Sequence, residues 1–269
     1  MAIRGQAAGP AAENSRVLRV LRQQSQAPWR FLGFPPAGAG PMFFHAWRDS
    51  LPDVFQLEAI NLPGRELRLN EALPSKIDAL VADLVPVISR SFQHDPRPIL
   101  MFGHSFGGLV AYEVIRLLNQ QGWEYPIALC ISAHCGPMHR TPVGALHQLD
   151  DTALIAELQR FDGLPAEFLS NNEYLSLYLP IIRADLCLDY LAPLRMDCRL
   201  HQPLLAMAGE NDHVAPPELM RGWRHMSSGK SRFISWPGHH FYLRAQLAAL
   251  TESLSAFAGE LWDPAISES

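Results

Sequence analysis

Between residues 98 and 118 the hydrophobic period changes from that of a strand to that of a helix, and the change occupies five residues. Ile99-Leu100-Met101-Phe102 is a continuous apolar run, as in a strand buried on both faces, whereas Leu109, Val110, Val114, Leu117 and Leu118 recur at helical spacing. Gly103-His104-Ser105-Phe106-Gly107 lies between them and matches G-x-S-x-G, a sharp strand-to-helix turn that carries a nucleophile. The glycines follow from sterics, because such a turn brings the residues two before and two after the serine together. Ser105 is then expected in a strained, exposed position at a helix N-terminus, where N–H groups and the helix dipole favour a developing negative charge.

The flanking segments repeat the alternation. Val17–Leu21 reads as an edge strand, and Phe31–Phe34, Val54–Ile60, Ile127–Ser132, Leu204–Ala208 and Arg232–Trp236 read as further strands. Phe43, Phe44 and Trp47 suit the buried face of a short helix. Ser75 is the expected N-cap of a helix with Ile77, Leu80, Val81, Leu84, Val85 and Ile88 on one face, kinked or shortened by Pro86. Ala245–Leu261 closes the chain as an amphipathic helix. The order predicts an α/β fold with a mostly parallel central sheet flanked by helices. Residues 1–14 read as a flexible tail and 15–269 as a single domain. From about 141 to 195 helical patterns continue without a strand, which predicts a helical lid insertion.

Composition narrows the function. A net charge of −5 leaves no basic balance for nucleic acid. Cys130, Cys135, Cys187 and Cys198 form no disulfide framework, and no segment reads as a signal peptide or membrane span. A cytoplasmic, soluble monomer is the expectation. The 11 histidines show no metal-ligand spacing, so no metal is expected.

Three polar positions follow candidate parallel strands: Ser105, Asp212, and His239 or His240. Open α/β sheets place their sites at that edge, and the order Ser, Asp, His is that of the α/β-hydrolase fold. A serine hydroxyl needs a base, a histidine supplies one near neutral pH, and a carboxylate holds the imidazole tautomer. Asp185 and Asp189 are rival acids, in helical rather than strand-end context. Phe34 runs into the Gly- and Pro-rich loop Pro35-Pro36-Ala37-Gly38-Ala39-Gly40. In serine hydrolases of this shape such a loop supplies one oxyanion-hole N–H and the residue after the nucleophile the other, making Ala37 and Phe106 the candidates.

Five motifs over residues 29–258 carry a family resemblance: Phe34-Pro35-Pro36-Ala37-Gly38, Leu62-Pro63-Gly64-Arg65, the elbow with Ala111-Tyr112-Glu113, Arg183-Ala184-Asp185, and Gly238-His239-His240-Phe241-Tyr242. Together they resemble the type II thioesterases, editing enzymes of nonribosomal peptide and polyketide assembly lines. The resemblance assigns the base to His240. It implies hydrolysis of acyl thioesters on the phosphopantetheine arm of acyl or peptidyl carrier protein domains, with no cofactor because the pantetheine belongs to the substrate. Pro36, Ala39 and Phe106 depart from the family's usual residues, and Phe106 is expected to narrow the acyl pocket. The lid segment is expected to shape the acyl chamber and dock the carrier, and Arg65 and Arg68 to meet an acidic carrier surface. The alternative readings are a small-ester carboxylesterase or lipase, for which the usual His-Gly-Gly-Gly motif is missing, and an acyltransferase.

Overall fold

A computed structural model describes residues 15–136, 138–164, 171–195 and 198–261. The tail expected over 1–14 lies outside them. Seven strands form one sheet: β1 (Leu18–Arg22), β2 (Trp29–Phe34), β3 (Phe55–Ile60), β4 (Ile99–His104), β5 (Ile127–Ser132), β6 (Leu204–Gly209) and β7 (Ser231–Trp236). Their order is β1-β3-β2-β4-β5-β6-β7, antiparallel between β1 and β3 and parallel elsewhere. Every residue of β2 to β6 is buried, as the unbroken apolar runs require of a sheet covered on both faces. One charged pair is buried among them: Arg30 on β2 grips Glu58 on β3 through Nε–Oε1 and Nη2–Oε2 contacts of 2.9 and 2.7 Å.

Three long helices pack on the sheet: α1 (Ile77–His94), α2 (Phe106–Gln120) and, at the end of the chain, α5 (Leu247–Leu261). Helix α1 differs from expectation at two points. Its N-cap is Lys76, without a side-chain cap from Ser75, and it runs 18 residues through Pro86. The apolar face outweighs the one N–H that proline removes, since Leu80, Leu84 and Ile88 are at most 1% exposed. Phe43 and the buried Phe44 and Trp47 sit on a short 3-10 turn, Pro41–Phe44, and one helical turn, Trp47–Ser50. Among the described residues no helix is long and apolar enough to cross a membrane.

Between β5 and β6 lies the helical insert, with α3 (Asp151–Arg160) and α4 (Asn172–Leu191). Asp150 caps α3 by accepting the Ala153 N–H at 2.9 Å, and Asn171 caps α4 through the N–H groups of Glu173 and Tyr174. The insert has its own apolar cluster, which includes Leu154, Leu158, Phe161, Leu179 and Ile182.

Ile182 seats the insert on the loop after β2. Gly38 has φ +77°, and a Cβ there would lie 2.2 Å from Ile182 Cγ1, so only glycine fits. A buried ion pair completes the joint. Asp185 of α4 receives Arg65 through Nη1–Oδ2 and Nη2–Oδ1 contacts of 2.5 and 2.9 Å, and its Oδ2 also accepts the Gly38 N–H at 2.8 Å. Arg65 further donates to the carbonyl oxygens of Ala39 and Pro63, both at 3.2 Å. Both side chains of the pair are only 2% exposed.

This corrects the expectation of a carrier-facing surface. Arg65 is consumed inside the protein, and Arg68, with its side chain 4% exposed, is held by Glu71 and Asp83. Asp185→Ala should destabilise the fold by about 3–5 kcal/mol in urea unfolding, because it strands a buried guanidinium. The double variant Arg65→Met/Asp185→Leu should recover most of that loss; a double variant as unstable as the single would refute the ion-pair account.

Candidate active site

The ends of β2, β4, β6 and β7 build the site together. Ser105 caps α2 with φ +53° and ψ −127°, a conformation that costs a non-glycine residue strain. A Cβ at Gly103 would lie 2.2 Å from the Gly107 carbonyl oxygen, and one at Gly107 would lie 2.1 Å from the Phe34 carbonyl oxygen. The Ser105 N–H is held by the Ser132 carbonyl at 2.8 Å. The strained elbow expected from the pentapeptide is present, with Ser105 half-buried rather than exposed.

His240 follows β7 and Asp212 follows β6. His240 Nε2 lies 3.0 Å from Ser105 Oγ, and His240 Nδ1 lies 2.9 Å from Asp212 Oδ2. Asp212 Oδ1 accepts the N–H groups of Val214 and Ala215 at 2.8 and 3.0 Å. Burial opposes a charge on Asp212, but the hydrogen bond and charge of His240 and these two N–H groups outweigh it and hold the carboxyl below its ordinary value. An ionised Asp212 only accepts, so Nδ1 carries the imidazole proton and Nε2 is left to accept the Ser105 hydroxyl. The alternatives left open by sequence separate cleanly. His239 is exposed, with Nδ1 3.1 Å from the Asn211 carbonyl, while His240 is 2% exposed. Asp185 is taken by Arg65, and Asp189 lies 2.9 Å from a different imidazole, that of His134.

Gly107 packs on the carbonyls of Phe34 and Pro35, which brings the loop carrying Ala37 against the turn carrying Ser105 and Phe106, and Ala37 and Ser105 both line the same cavity. Among the described residues no acceptor takes the Ala37 or Phe106 N–H. The Phe106 side chain differs from expectation. It is 1% exposed and packs into the main core, away from the cavity that opens at Ser105. That cavity, of about 80 Å³, is lined by residues of the insert, among them Leu158, Phe161, Ile182, Leu186 and Asp189, together with His134 and His240. Phe161 sets its ring edge-on to His240 at 5.5 Å, so the insert touches the imidazole directly.

Sequence reasoning passed over one further residue. His104 is fully buried, with Nδ1 2.9 Å from Ser132 Oγ, which in turn lies 2.7 Å from the Tyr242 hydroxyl. Its ring centroid lies 5.3 Å from that of His240. Burial, then the charges of His240 and Arg244, push its pKa well below the ordinary histidine value, so it stays neutral and packs as an aromatic plate. Its place beside the nucleophile was the available signal.

The thioesterase domain family matches residues 30–258 of this chain. Thioesterase PikA5 of Streptomyces venezuelae is 30% identical over 226 residues, covering 84% of this chain and 79% of its own length. Gramicidin S biosynthesis protein GrsT of Aneurinibacillus migulanus is 28% identical over 223 residues, covering 81% and 84%. Among solved structures, BorB, the type II thioesterase from the borrelidin biosynthetic cluster, superposes with a TM-score of 0.79 at 28% identity, covering 89% of this chain and 96% of its own. YbtT, a type II thioesterase from the yersiniabactin pathway, does so with the same TM-score and identity, covering 88% and 96%. The matched span runs from β2 through α5 and takes in every site residue described above, and the chain belongs to the thioesterase domain family.

Proposed function

We propose that the chain hydrolyses acyl thioesters from the phosphopantetheine arm of carrier protein domains in nonribosomal peptide or polyketide synthesis. The observation that carries this is the Ser105–His240–Asp212 hydrogen-bond chain at the mouth of a cavity, in a member of the thioesterase domain family. The named relatives support the setting, since PikA5, GrsT, BorB and YbtT are described by such activity or pathways.

The chemistry follows from the geometry. Ser105 Oγ attacks the thioester carbonyl as its proton passes to His240 Nε2 over a 3.0 Å hydrogen bond. Asp212 stabilises the imidazolium through Nδ1. The oxyanion rests on the Ala37 and Phe106 N–H groups, where each such donor contributes roughly 10²–10³-fold in kcat. The pantetheine sulfur takes the proton from His240 and leaves, and a water activated by the same imidazole then hydrolyses the acyl-enzyme. The asymmetric hold on Asp185 bears on the first step. By taking the Gly38 N–H, that carboxylate fixes the loop that presents Ala37.

Ser105→Ala should lower turnover of an acyl carrier protein by roughly 10⁴-fold or more, with the fold retained by circular dichroism. Wild-type turnover of oxygen esters without turnover of carrier thioesters would overturn the assignment. Acid sensitivity supplies a second check. The Asp212 carboxyl lies below its unfolded value, so its stabilisation is present above the ordinary carboxylate range and is lost as pH falls through the folded value. In urea unfolding, the stability gap between wild type and Asp212→Asn should be largest at pH 6–7 and shrink toward pH 3. A gap that widens on acidification would reverse the sign.

A further inference from the structure

The cavity contains a second histidine–carboxylate pair that the proposed chemistry does not use. His134 stands two residues beyond Ser132, whose carbonyl takes the Ser105 N–H at 2.8 Å. It packs on the first turn of α2, since a Cβ at Gly108 would lie 3.4 Å from His134 Cβ. Asp189 comes from α4, one turn beyond Asp185, which binds the oxyanion loop through Gly38. Asp189 therefore stands about 6 Å further along the helix axis from that anchor. Ser105, His240, His134 and Asp189 all line the same cavity.

The pair carries a net negative charge. His134 Nδ1 accepts the Gly136 N–H at 3.2 Å, so the ring proton sits on Nε2 and is donated to Asp189 Oδ1 at 2.9 Å. The imidazole is thereby neutral and the carboxylate keeps its charge. No described residue donates to Asp189 Oδ2, and the side chain is 18% exposed. Its field reaches across the cavity wall: burial, then Asp212 and Asp189, push the Cys135 thiol up to about 12. Arg140 also lines the cavity, and its contacts are with neutral groups, so its charge remains beside that of Asp189. Arg140 donates to the Ala192 carbonyl at 2.7 Å and lies 5.6 Å over the Tyr190 ring.

We propose that this cavity selects acyl groups bearing a protonated amine, with the ammonium seated on Asp189 and oriented by the His134–Asp189 pair. This rests on the reading of Ser105 as the nucleophile toward acyl thioesters. A hydrocarbon chain laid against Asp189 would strip its remaining water without replacing it, whereas an ammonium supplies charge-assisted hydrogen bonds.

The test compares thioesters of matched shape on a phosphopantetheinylated carrier protein: alanyl with isobutyryl, β-alanyl with butyryl, and succinyl as the anionic arm. The wild type should favour β-alanyl over butyryl, the pair in which the ammonium is further from the carbonyl and activates it less, by roughly 10- to 100-fold in kcat/KM, and Asp189→Asn should collapse that ratio to within about threefold. The wild-type ratio stands as evidence even if the variant folds poorly. Hydrolysis of butyryl and β-alanyl groups at equal rates, a succinyl preference that would point to Arg140, or a ratio unchanged in Asp189→Asn would overturn the inference while leaving the thioesterase reading intact. Failure to cleave any of these thioesters would overturn that reading, and the inference with it.

Discussion

The contact between Gly107 and the end of β2 is the constraint on which the site depends. A Cβ at Gly107 would lie 2.1 Å from the Phe34 carbonyl oxygen and 2.6 Å from that of Pro35. With only hydrogen there, the first turn of α2 closes onto the loop that begins at Pro35. The turn carrying Ser105 and Phe106 and the loop carrying Ala37 are then brought together by backbone alone, before any side chain chooses a rotamer. Backbone donors held this way need little reorganisation when charge develops, which is the physical basis of electrostatic preorganisation. The strain at Ser105, φ +53°, is sustained because the β4–β5 pairing and the Ser132 carbonyl hold the strand end of the turn, and the Gly108 N–H closes the helix end on the Ser105 carbonyl at 2.8 Å.

A second level of organisation lies in the joint between insert and sheet. Arg65 and Asp185 are 120 residues apart in sequence and fully enclosed. A buried pair of this kind gives little net stability against a hydrophobic replacement, because desolvation offsets much of its attraction. Its contribution is directional. The two Asp185 oxygens meet three N–H donors, one of them from Gly38, and so the helix that walls the cavity and the loop that presents Ala37 share one carboxylate. The wall of the cavity and the loop that carries Ala37 are coupled parts.

This coupling explains what was legible in the sequence and what was not. Strands announced themselves within one or two residues because β2 to β6 are buried on both faces, and the elbow was legible because its steric demand is local. The Ser, Asp, His order anticipated the hydrogen-bond chain because each member follows its own strand. Arg65 was misread as a surface residue because a charged side chain after Pro-Gly looks solvated, and nothing local indicates a partner on a helix 120 residues away. Phe106 was misread for a related reason: its backbone serves the site while its side chain packs into the core on the other side of the turn. The cap expected at Ser75 failed by one residue, since Lys76 takes the N-cap position and the apolar face sets where α1 begins.

Two histidine–carboxylate pairs line one cavity, and a single hydrogen bond gives them different capacities. His240 donates from Nδ1 to Asp212, which leaves the Nε2 lone pair directed at Ser105 Oγ, 3.0 Å away. His134 has the opposite arrangement. Its Nδ1 accepts the Gly136 N–H and its Nε2 donates to Asp189, so both ring nitrogens are occupied and no lone pair is left to take a proton. The carboxylates differ as well. Asp212 is 3% exposed and surrounded by donors, so its charge is spent on the imidazole and two backbone N–H groups. Among the described residues Asp189 has one donor, and it lines the cavity, so its charge remains available to whatever enters. Histidine beside aspartate is therefore not in itself a catalytic signature. Which ring nitrogen the backbone engages decides whether such a pair can accept a proton from the reaction or instead presents a fixed negative charge to the substrate.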